Sequence, residues 1–93
     1  MSQYKVSTTN TFLKGVKRCT KRGYDMALLR EVITLLAESG SLLPKYKSHK
    51  LTGNFAGAWE CHILPDWLLI WEQDDTELVL LFTNTGTHSD LFK

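Results

Sequence analysis

The hydrophobic residues of the first forty positions recur mainly with the spacing of α-helices. Residues 3–7 alternate and are rich in β-formers, which predicts a short strand ahead of the helices. A first helix then ends near Arg22. From residue 26 to residue 39, apolar side chains recur every three or four positions, with Asp25 as the N-cap and Gly40 as the stop. This second helix has an apolar face wide enough to pack on a sheet as well as on the first helix.

The spacing of apolar residues changes to alternation after residue 56 and predicts three strands. Short turns between them favour antiparallel hairpins. The predicted strands are residues 57–64, 67–73 and 77–83. We therefore predict one α+β domain, residues 1–93, with an N-terminal strand, two helices and a three-stranded antiparallel meander, and with both helices packed on one sheet face. The stretch 41–55 has no period and is expected to be a long loop that carries function.

The composition is that of an ordinary globular chain rather than a disordered or membrane-embedded one. Hydrophobic residues make up 43% of the 93 positions and charged residues 23%, which allows one small core. The longest apolar runs have five residues, against the roughly 20 needed to cross a bilayer. The first residues lack the pattern of a secretory signal, so we expect a cytoplasmic protein. Cys19 and Cys61 show no redox or metal-binding spacing, and we predict no disulfide.

Charge is distributed unequally along the chain, although the formal net charge is only +1. Residues 1–50 carry ten basic and three acidic side chains, whereas residues 51–93 carry one basic and seven acidic side chains. A concentrated basic surface attracts polyanions such as RNA. The alternative, a helix face whose lysines are merely solvated, remains open at this point.

The three histidines, His49, His62 and His88, all lie in the last 45 residues. If neighbouring strands pair, His62, His88 and Asp66 approach one another at one end of the sheet. Two imidazoles and a carboxylate can supply an acid and a base at neutral pH, which is what cleavage of RNA without a metal requires. Structural histidines or a zinc site are the alternatives, although no short metal-ligand spacing is present. No glycine-rich phosphate-binding fingerprint occurs, so no nucleotide cofactor is expected.

Several short blocks of the second half occur in an order and at a spacing that closely resemble the YafQ branch of the RelE/ParE toxin superfamily. The blocks are residues 49–54 (HKLTGN), 60–63 (ECHI), 65–70 (PDWLLI) and 85–92 (TGTHSDLF). The resemblance implies a small α+β bacterial endoribonuclease that cuts messenger RNA, often on the ribosome, and needs no cofactor. It also implies a cognate antitoxin that silences the enzyme.

The resemblance implies roles for five residues. His88 is expected to protonate the leaving 5′-oxygen, and Asp66 and His62 are expected to handle the proton of the attacking 2′-hydroxyl. His49 would hold the phosphate, and Phe92 would orient a base. The products would carry a 2′,3′-cyclic phosphate or the 3′-phosphate formed from it by hydrolysis.

Two positions depart from the family pattern. Many relatives have arginine where this chain has Asn84, so Lys47 or Lys50 would have to supply the missing phosphate-neutralising cation. Trp59 also stands where some relatives place arginine. Two alternatives to the nuclease follow: a weak or inactive relative that only binds its antitoxin, and an inhibitor of DNA gyrase like the ParE members of the superfamily, which lack this histidine set.

Overall fold

The structure is a computed structural model that describes residues 2–92. The sheet strands are β1 (Lys5–Thr8), β2 (His49–Lys50), β3 (Trp59–Leu64), β4 (Trp67–Asp74) and β5 (Val79–Gly86). The helices are α1 (Asn10–Lys21), α2 (Met26–Ser39) and α3 (His88–Leu91). Two single 3₁₀ turns, Pro44–Tyr46 and Gly53–Phe55, flank β2. No helix within the described residues is long and apolar enough to cross a membrane.

Local sequence signals set the ends of the two long helices. The Thr9 hydroxyl accepts a hydrogen bond from the Phe12 amide at 3.0 Å and caps α1. The Asp25 carboxylate accepts from the Ala27 amide at 3.0 Å and caps α2, as predicted. Gly40 ends α2 with a φ of 74°, a left-handed conformation that favours glycine. The predicted extents of both helices are therefore confirmed.

The sheet is larger than the predicted meander. Its strand order is β1-β5-β4-β3-β2, so the antiparallel meander of β3, β4 and β5 forms only the centre. β1 pairs parallel with β5, although both helices and the strands β2, β3 and β4 lie between them in the chain. β2 pairs antiparallel with β3. The α+β class is confirmed, but the three-stranded sheet and the uninterrupted loop over 41–55 are wrong, because a two-residue strand is too short to show alternation.

One face of the sheet forms the hydrophobic core with α1 and α2. Its buried strand residues are Cys61, Ile63, Trp67, Leu69, Trp71, Leu80 and Phe82. The buried helix residues opposite them include Phe12, Cys19, Leu29, Val32 and Leu36. Both cysteines are free thiols, and burial raises the pKa of Cys61 to about 12. Both helices therefore pack on the same face, as predicted, and neither thiol is a reactive nucleophile.

The opposite face, which we call the open face, carries residues of the other parity. Along β3 these include Glu60 and His62, and along β4 they include Leu68 and Ile70. Leu68 and Ile70 are nevertheless buried. The chain between β2 and β3 and the short helix α3 lie beside Ile70 and border a cavity on this face. The open face is therefore partly covered, and it holds the three histidines described below.

Candidate active site

The three histidines lie together on the open face, each on a different element. The rings of His49 in β2 and His62 in β3 have centroids 6.4 Å apart. The rings of His62 and His88, the first residue of α3, are 5.9 Å apart. The pairing of β3 with both β2 and β4 accounts for this arrangement, with His62 in the middle. The structure thus brings together three of the predicted site residues.

Asp66 forms an exposed pair with His88. Its Oδ1 lies 2.8 Å from Nδ1 of His88 and also accepts a hydrogen bond from the His88 backbone amide at 3.1 Å. These two hydrogen bonds hold the pKa of the Asp66 carboxyl below its ordinary value. Because the ionised carboxylate only accepts, Nδ1 of His88 is the donor, and Nε2 is left to exchange a proton with a substrate.

Glu60 forms a second carboxylate–histidine pair with His49. Its Oε1 lies 3.3 Å from Nε2 of His49, and Nδ1 of the same ring lies 2.9 Å from the Lys47 carbonyl oxygen. Both ring nitrogens therefore face acceptors, and only the imidazolium form of His49 can donate to both. The Glu60 side chain is 7% exposed, and its Oε2 has no hydrogen-bond partner among residues 2–92. Glu60 lies two positions from His62 and therefore on the same face of the predicted strand. It could have been identified from the sequence on this ground but was not singled out.

His62 is oriented by the turn that follows its own strand. Its Nδ1 lies 3.2 Å from the Pro65 carbonyl oxygen. Since a carbonyl only accepts, a neutral His62 carries its proton on Nδ1 and presents an unprotonated Nε2. His62 is half-buried. In this arrangement Nε2 of His62 can accept a proton.

Aromatic rings stand beside the histidines. The Phe92 ring lies 6.4 Å from that of His88, and it makes an edge contact of 5.3 Å with Phe55. Phe92 and Phe55 are 37% and 45% exposed. Exposed aromatic rings next to a charged site can stack on bases. Phe55, on the loop before β3, was not identified from the sequence because a single exposed aromatic in a loop carries no periodic signal.

The two predicted lysines lie on different sides of the sheet. Lys47 borders a hollow of about 260 Å³ together with Lys45, His62 and Pro65. Lys50 follows His49 directly in β2 and pairs with Trp59, so its side chain points to the other face, with Nζ 5.5 Å from the Trp59 ring centroid. The structure therefore brings Lys47 to the histidines but not Lys50.

The two positions that depart from the family pattern have different surroundings. The Trp59 ring is stacked on Trp71 with centroids 6.2 Å apart, which gives it a packing role. Asn84 lies on β5 at the open face, opposite Ile70. Its Oδ1 accepts a hydrogen bond from the Thr85 backbone amide at 2.9 Å. Asn84 thus supplies no positive charge to the site.

Ion pairs with α1 fix the helix that carries His88. Asp90 accepts from Arg22 at 2.6 Å and 3.0 Å, and Arg18 adds a contact of 3.4 Å. Asp90 and Thr87 also form a reciprocal capping box at the start of α3. The bond from Arg22 is the main reason that the pKa of Asp90 lies far below its usual range. Arg18 of α1 and Arg22, the C-cap of the same helix, therefore have a structural task that sequence alone did not indicate.

The remaining lysines of α1 form an exposed basic surface. Lys14, Lys17 and Lys21, with the two arginines, border a shallow hollow of about 400 Å³. We call this surface the basic face of α1. Among residues 2–92, the histidine cluster included, no group of three His, Cys, Asp or Glu side chains is arranged to hold a metal ion.

Fold and site together define a class: a small α+β domain with an acid–base cluster on an open sheet face, as in toxins of toxin–antitoxin systems. The family model described as "Bacterial toxin of type II toxin-antitoxin system, YafQ" matches residues 4–93. The mRNA interferase toxin YafQ of Escherichia coli K12 is 39% identical over 99% of both chains. The chain belongs to the YafQ family and is an endoribonuclease toxin of that type.

Solved structures agree with this assignment. The E. coli DinJ–YafQ complex matches 98% of this chain and all of that chain with a TM-score of 0.88 at 37% identity. A metal-bound toxin from Helicobacter pylori matches 97% of this chain and all of that chain, also with a TM-score of 0.88, at 38% identity. The family assignment therefore holds for both sequence and fold.

Proposed function

We propose that this toxin cleaves messenger RNA on the ribosome, without a metal ion, by attack of a 2′-hydroxyl on the adjacent phosphate. The observation that carries this proposal is the position of His62 between two carboxylate–histidine pairs, His49–Glu60 and His88–Asp66. The set supplies a base, an acid and a fixed positive charge, which together are sufficient for this chemistry.

His62 starts the reaction as the general base. Its unprotonated Nε2 removes the proton of the 2′-hydroxyl while the 2′-oxygen forms a bond to phosphorus. The Pro65 carbonyl holds Nδ1–H and so keeps the ring in the basic tautomer. Asp66 was expected to share this step; its hydrogen bond with His88 supports instead a part in orienting the acid.

His88 completes the reaction as the general acid. As the bond between phosphorus and the 5′-oxygen breaks, Nε2–H of the His88 imidazolium donates a proton to that oxygen. Asp66 orients the ring by accepting a hydrogen bond from Nδ1. The products are a 2′,3′-cyclic phosphate and a free 5′-hydroxyl, and no other reactant is consumed. Hydrolysis of the cyclic phosphate gives a 3′-phosphate.

His49 and Lys47 stabilise the negative charge that develops on the phosphate oxygens. The buried carboxylate of Glu60 lies 3.3 Å from Nε2 of His49 and holds the ring in place, so Glu60 acts as a positioning residue. Removal of one such charge-stabilising donor costs about 100- to 1,000-fold in rate in enzymes of known mechanism. Asn84 provides no charge here, so Lys47 takes the part that arginine has in many relatives. Phe92 stacks on a base beside the scissile phosphate.

An antitoxin and ribosomal RNA are the proposed partners, and the cytoplasm is the proposed location. The complex of E. coli YafQ with DinJ supports an antitoxin partner for this chain. The basic face of α1 supports contact with ribosomal RNA, because phosphate contacts dominate affinity for nucleic acid. Reversing the charge of Lys14, Lys17 and Lys21 together should therefore weaken association with ribosomes. Unchanged association would exclude this role.

The decisive experiment maps RNA ends in a cell-free translation reaction. The wild-type protein should produce cuts at defined codon positions, and His88→Ala should remove them. Ser89→Ala, the adjacent exposed position on α3, is the matched control and should cut like the wild type. The same RNA without ribosomes measures ribosome dependence, and naked RNA in EDTA tests metal independence. No cuts from a folded wild-type protein would contradict the proposal.

Asn84 favours a second candidate, a weak or inactive relative that acts only by binding. On that hypothesis, Asn84→Arg should create or strongly increase cleavage in the same assay. A supercoiling assay with DNA gyrase tests the remaining alternative. The histidine arrangement gives the nuclease the stronger support.

A further inference from the structure

A cavity of about 410 Å³ lies on the open face beside the histidines, and the reaction described above does not use it. We call it the side cavity. It is bordered by residues 54–58, Ile70, Glu72, Thr83, Asn84 and Leu91. Its volume exceeds that of a nucleobase, so a base with part of its ribose can enter.

The side cavity lies one nucleotide step from the proposed reaction centre. His62 pairs with Leu68 across the sheet, and Glu60 pairs with Ile70, which forms part of the cavity floor. Two residues along a strand span about 7 Å. Phe55 belongs to the cavity wall and contacts Phe92, the ring beside His88. An RNA strand with its phosphate at the histidines therefore directs a neighbouring base toward the cavity.

Two polar side chains border this cavity, those of Glu72 and Asn84. The Glu72 side chain is exposed and makes no hydrogen bond or ion pair within residues 2–92, and its carboxylate only accepts. Asn84 uses its Oδ1 for the Thr85 amide, which leaves its Nδ2 group as a donor. Ile70, Leu91 and Phe55 supply apolar surface for a flat ring. The cavity thus offers two acceptor oxygens, one donor group and apolar walls.

We propose that the side cavity is a base-recognition subsite that prefers guanine in the RNA substrate, an inference that rests on the proposed ribonuclease function. Guanine alone presents two adjacent donors, N1–H and the N2 amino group, which match the two oxygens of Glu72. Its O6 accepts from Nδ2 of Asn84. Adenine and cytosine offer a single exocyclic amino group, and uracil offers only N3–H. Bases in single-stranded RNA expose these edges, so a protein can discriminate among them there.

Binding of four trinucleotides, UpGpU, UpIpU, UpApU and UpUpU, tests the proposal. All four carry 2′-O-methyl groups, which prevent the 2′-oxygen from attacking, so affinity is measured whether or not the protein cleaves RNA. Inosine differs from guanosine only by the missing N2 amino group. We expect UpGpU to bind about 10-fold more tightly than UpIpU, the size of effect expected when a two-bond contact to a base edge is reduced to one. NMR titration of the labelled full chain should show the shifts at Phe55 and Asn84.

Glu72→Gln should reduce the 10-fold advantage of UpGpU over UpIpU to about twofold or less. Glu77→Gln is the matched control, because Glu77 is exposed on the turn after β4 and lies outside the side cavity. In this variant UpGpU should still bind about 10-fold more tightly than UpIpU. Equal binding of UpGpU and UpIpU, tighter binding of UpApU, or an advantage that survives Glu72→Gln would overturn the proposal. Failure of mRNA cleavage, in contrast, would overturn the proposed reaction and leave this binding result intact.

Discussion

The two carboxylate–histidine pairs of this molecule contain the same chemical groups in different surroundings. Asp66 and His88 lie 2.8 Å apart, with side chains 67% and 56% exposed. Glu60 and His49 lie 3.3 Å apart, but the Glu60 side chain is only 7% exposed. A substrate can reach both members of the exposed pair, whereas the Glu60 carboxylate of the other pair is closed to it. The difference teaches that burial, rather than residue type, distinguishes the two pairs.

The position of each carboxylate in the fold produces this difference. Asp66 lies in the tight turn between β3 and β4, where solvent reaches its side chain. Glu60 lies within β3, between His49 on β2 and Ile70 on β4. An edge strand of only two residues, β2, is therefore enough to cover a charged residue that would otherwise be at the sheet edge. The separation of roles depends on that short strand.

The largest expected effect is that a modified RNA substrate restores cleavage by His88→Ala but not by His49→Ala. His88→Ala should lower cleavage by about 100- to 10,000-fold, the range for loss of a general acid. An RNA with sulfur in place of the scissile 5′-oxygen needs no such acid, because a thiol ionises far more readily than an alcohol. This substrate should restore cleavage by His88→Ala.

His49→Ala is the matched comparison for that rescue. Its cleavage rate should fall about 100-fold, because a charge-stabilising donor is lost. The sulfur substrate should not restore the rate. Single-turnover rates on both substrates measure the contrast. Rescue of both variants to the same extent would show that the two pairs do not have separate roles.

The next effect is on the free energy of unfolding, which should respond differently to replacement of the two carboxylates. Glu60→Leu should keep or increase the free energy of unfolding, by about 1 kcal/mol, since an apolar group replaces a buried carboxylate with one unpartnered oxygen. Its cleavage rate should nevertheless fall. Asp66→Leu should slightly lower the free energy of unfolding at neutral pH, because the two hydrogen bonds from His88 are lost, and it should also lower cleavage. Urea denaturation of both variants, with Glu60→Gln to separate charge from volume, would sharpen the contrast; a strong loss of stability in Glu60→Leu would contradict it.

Asp90→Ala should have a smaller effect on cleavage, because Asp90 acts on His88 only by holding α3. We expect the free energy of unfolding to fall by about 1 kcal/mol, because the helix cap is lost, and the cleavage rate to fall about 10-fold. Asp74→Ala is the matched control, since Asp74 also accepts from two backbone amides, in the turn far from the histidines. It should lower stability without lowering cleavage. Equal rate losses in both variants would show that the effect of Asp90 is unspecific.

The helices and central strands could be predicted from sequence because their signals are periodic or local. Asp25 and Gly40 bound α2 as expected, and alternation located β3 and β4. The two edge strands carry weaker signals. β2 has two residues, and the parallel pairing of β1 with β5 depends on how the helices fold back, which no local pattern specifies.

The site was predictable only in part for a related reason. Ionisable residues with family-like spacing, such as His62 and His88, stand out in the sequence and do meet in the structure. Glu60 was overlooked because its partner, His49, comes from a strand that sequence did not predict. Lys50 was assigned to the substrate because that strand's alternation, which turns it away from His49, was not known.

The smallest expected effect is a shift in the titration of Asp66. Its pKa in the folded state is lowered by the hydrogen bonds from His88, so the folded protein holds this proton less tightly than the unfolded chain does. The pair therefore contributes stability above the ordinary carboxyl pKa, and the contribution is lost as the pH falls through the lowered value.

In a ¹³C-detected NMR titration, the Asp66 midpoint should rise in His88→Ala. It should rise only part of the way to the ordinary value, because the backbone amide of residue 88 still donates. His49→Ala, which alters only the buried pair, should leave the midpoint unchanged; a midpoint that responds to His49 would mean that the two pairs titrate as one network rather than as an acid and a separate fixed charge.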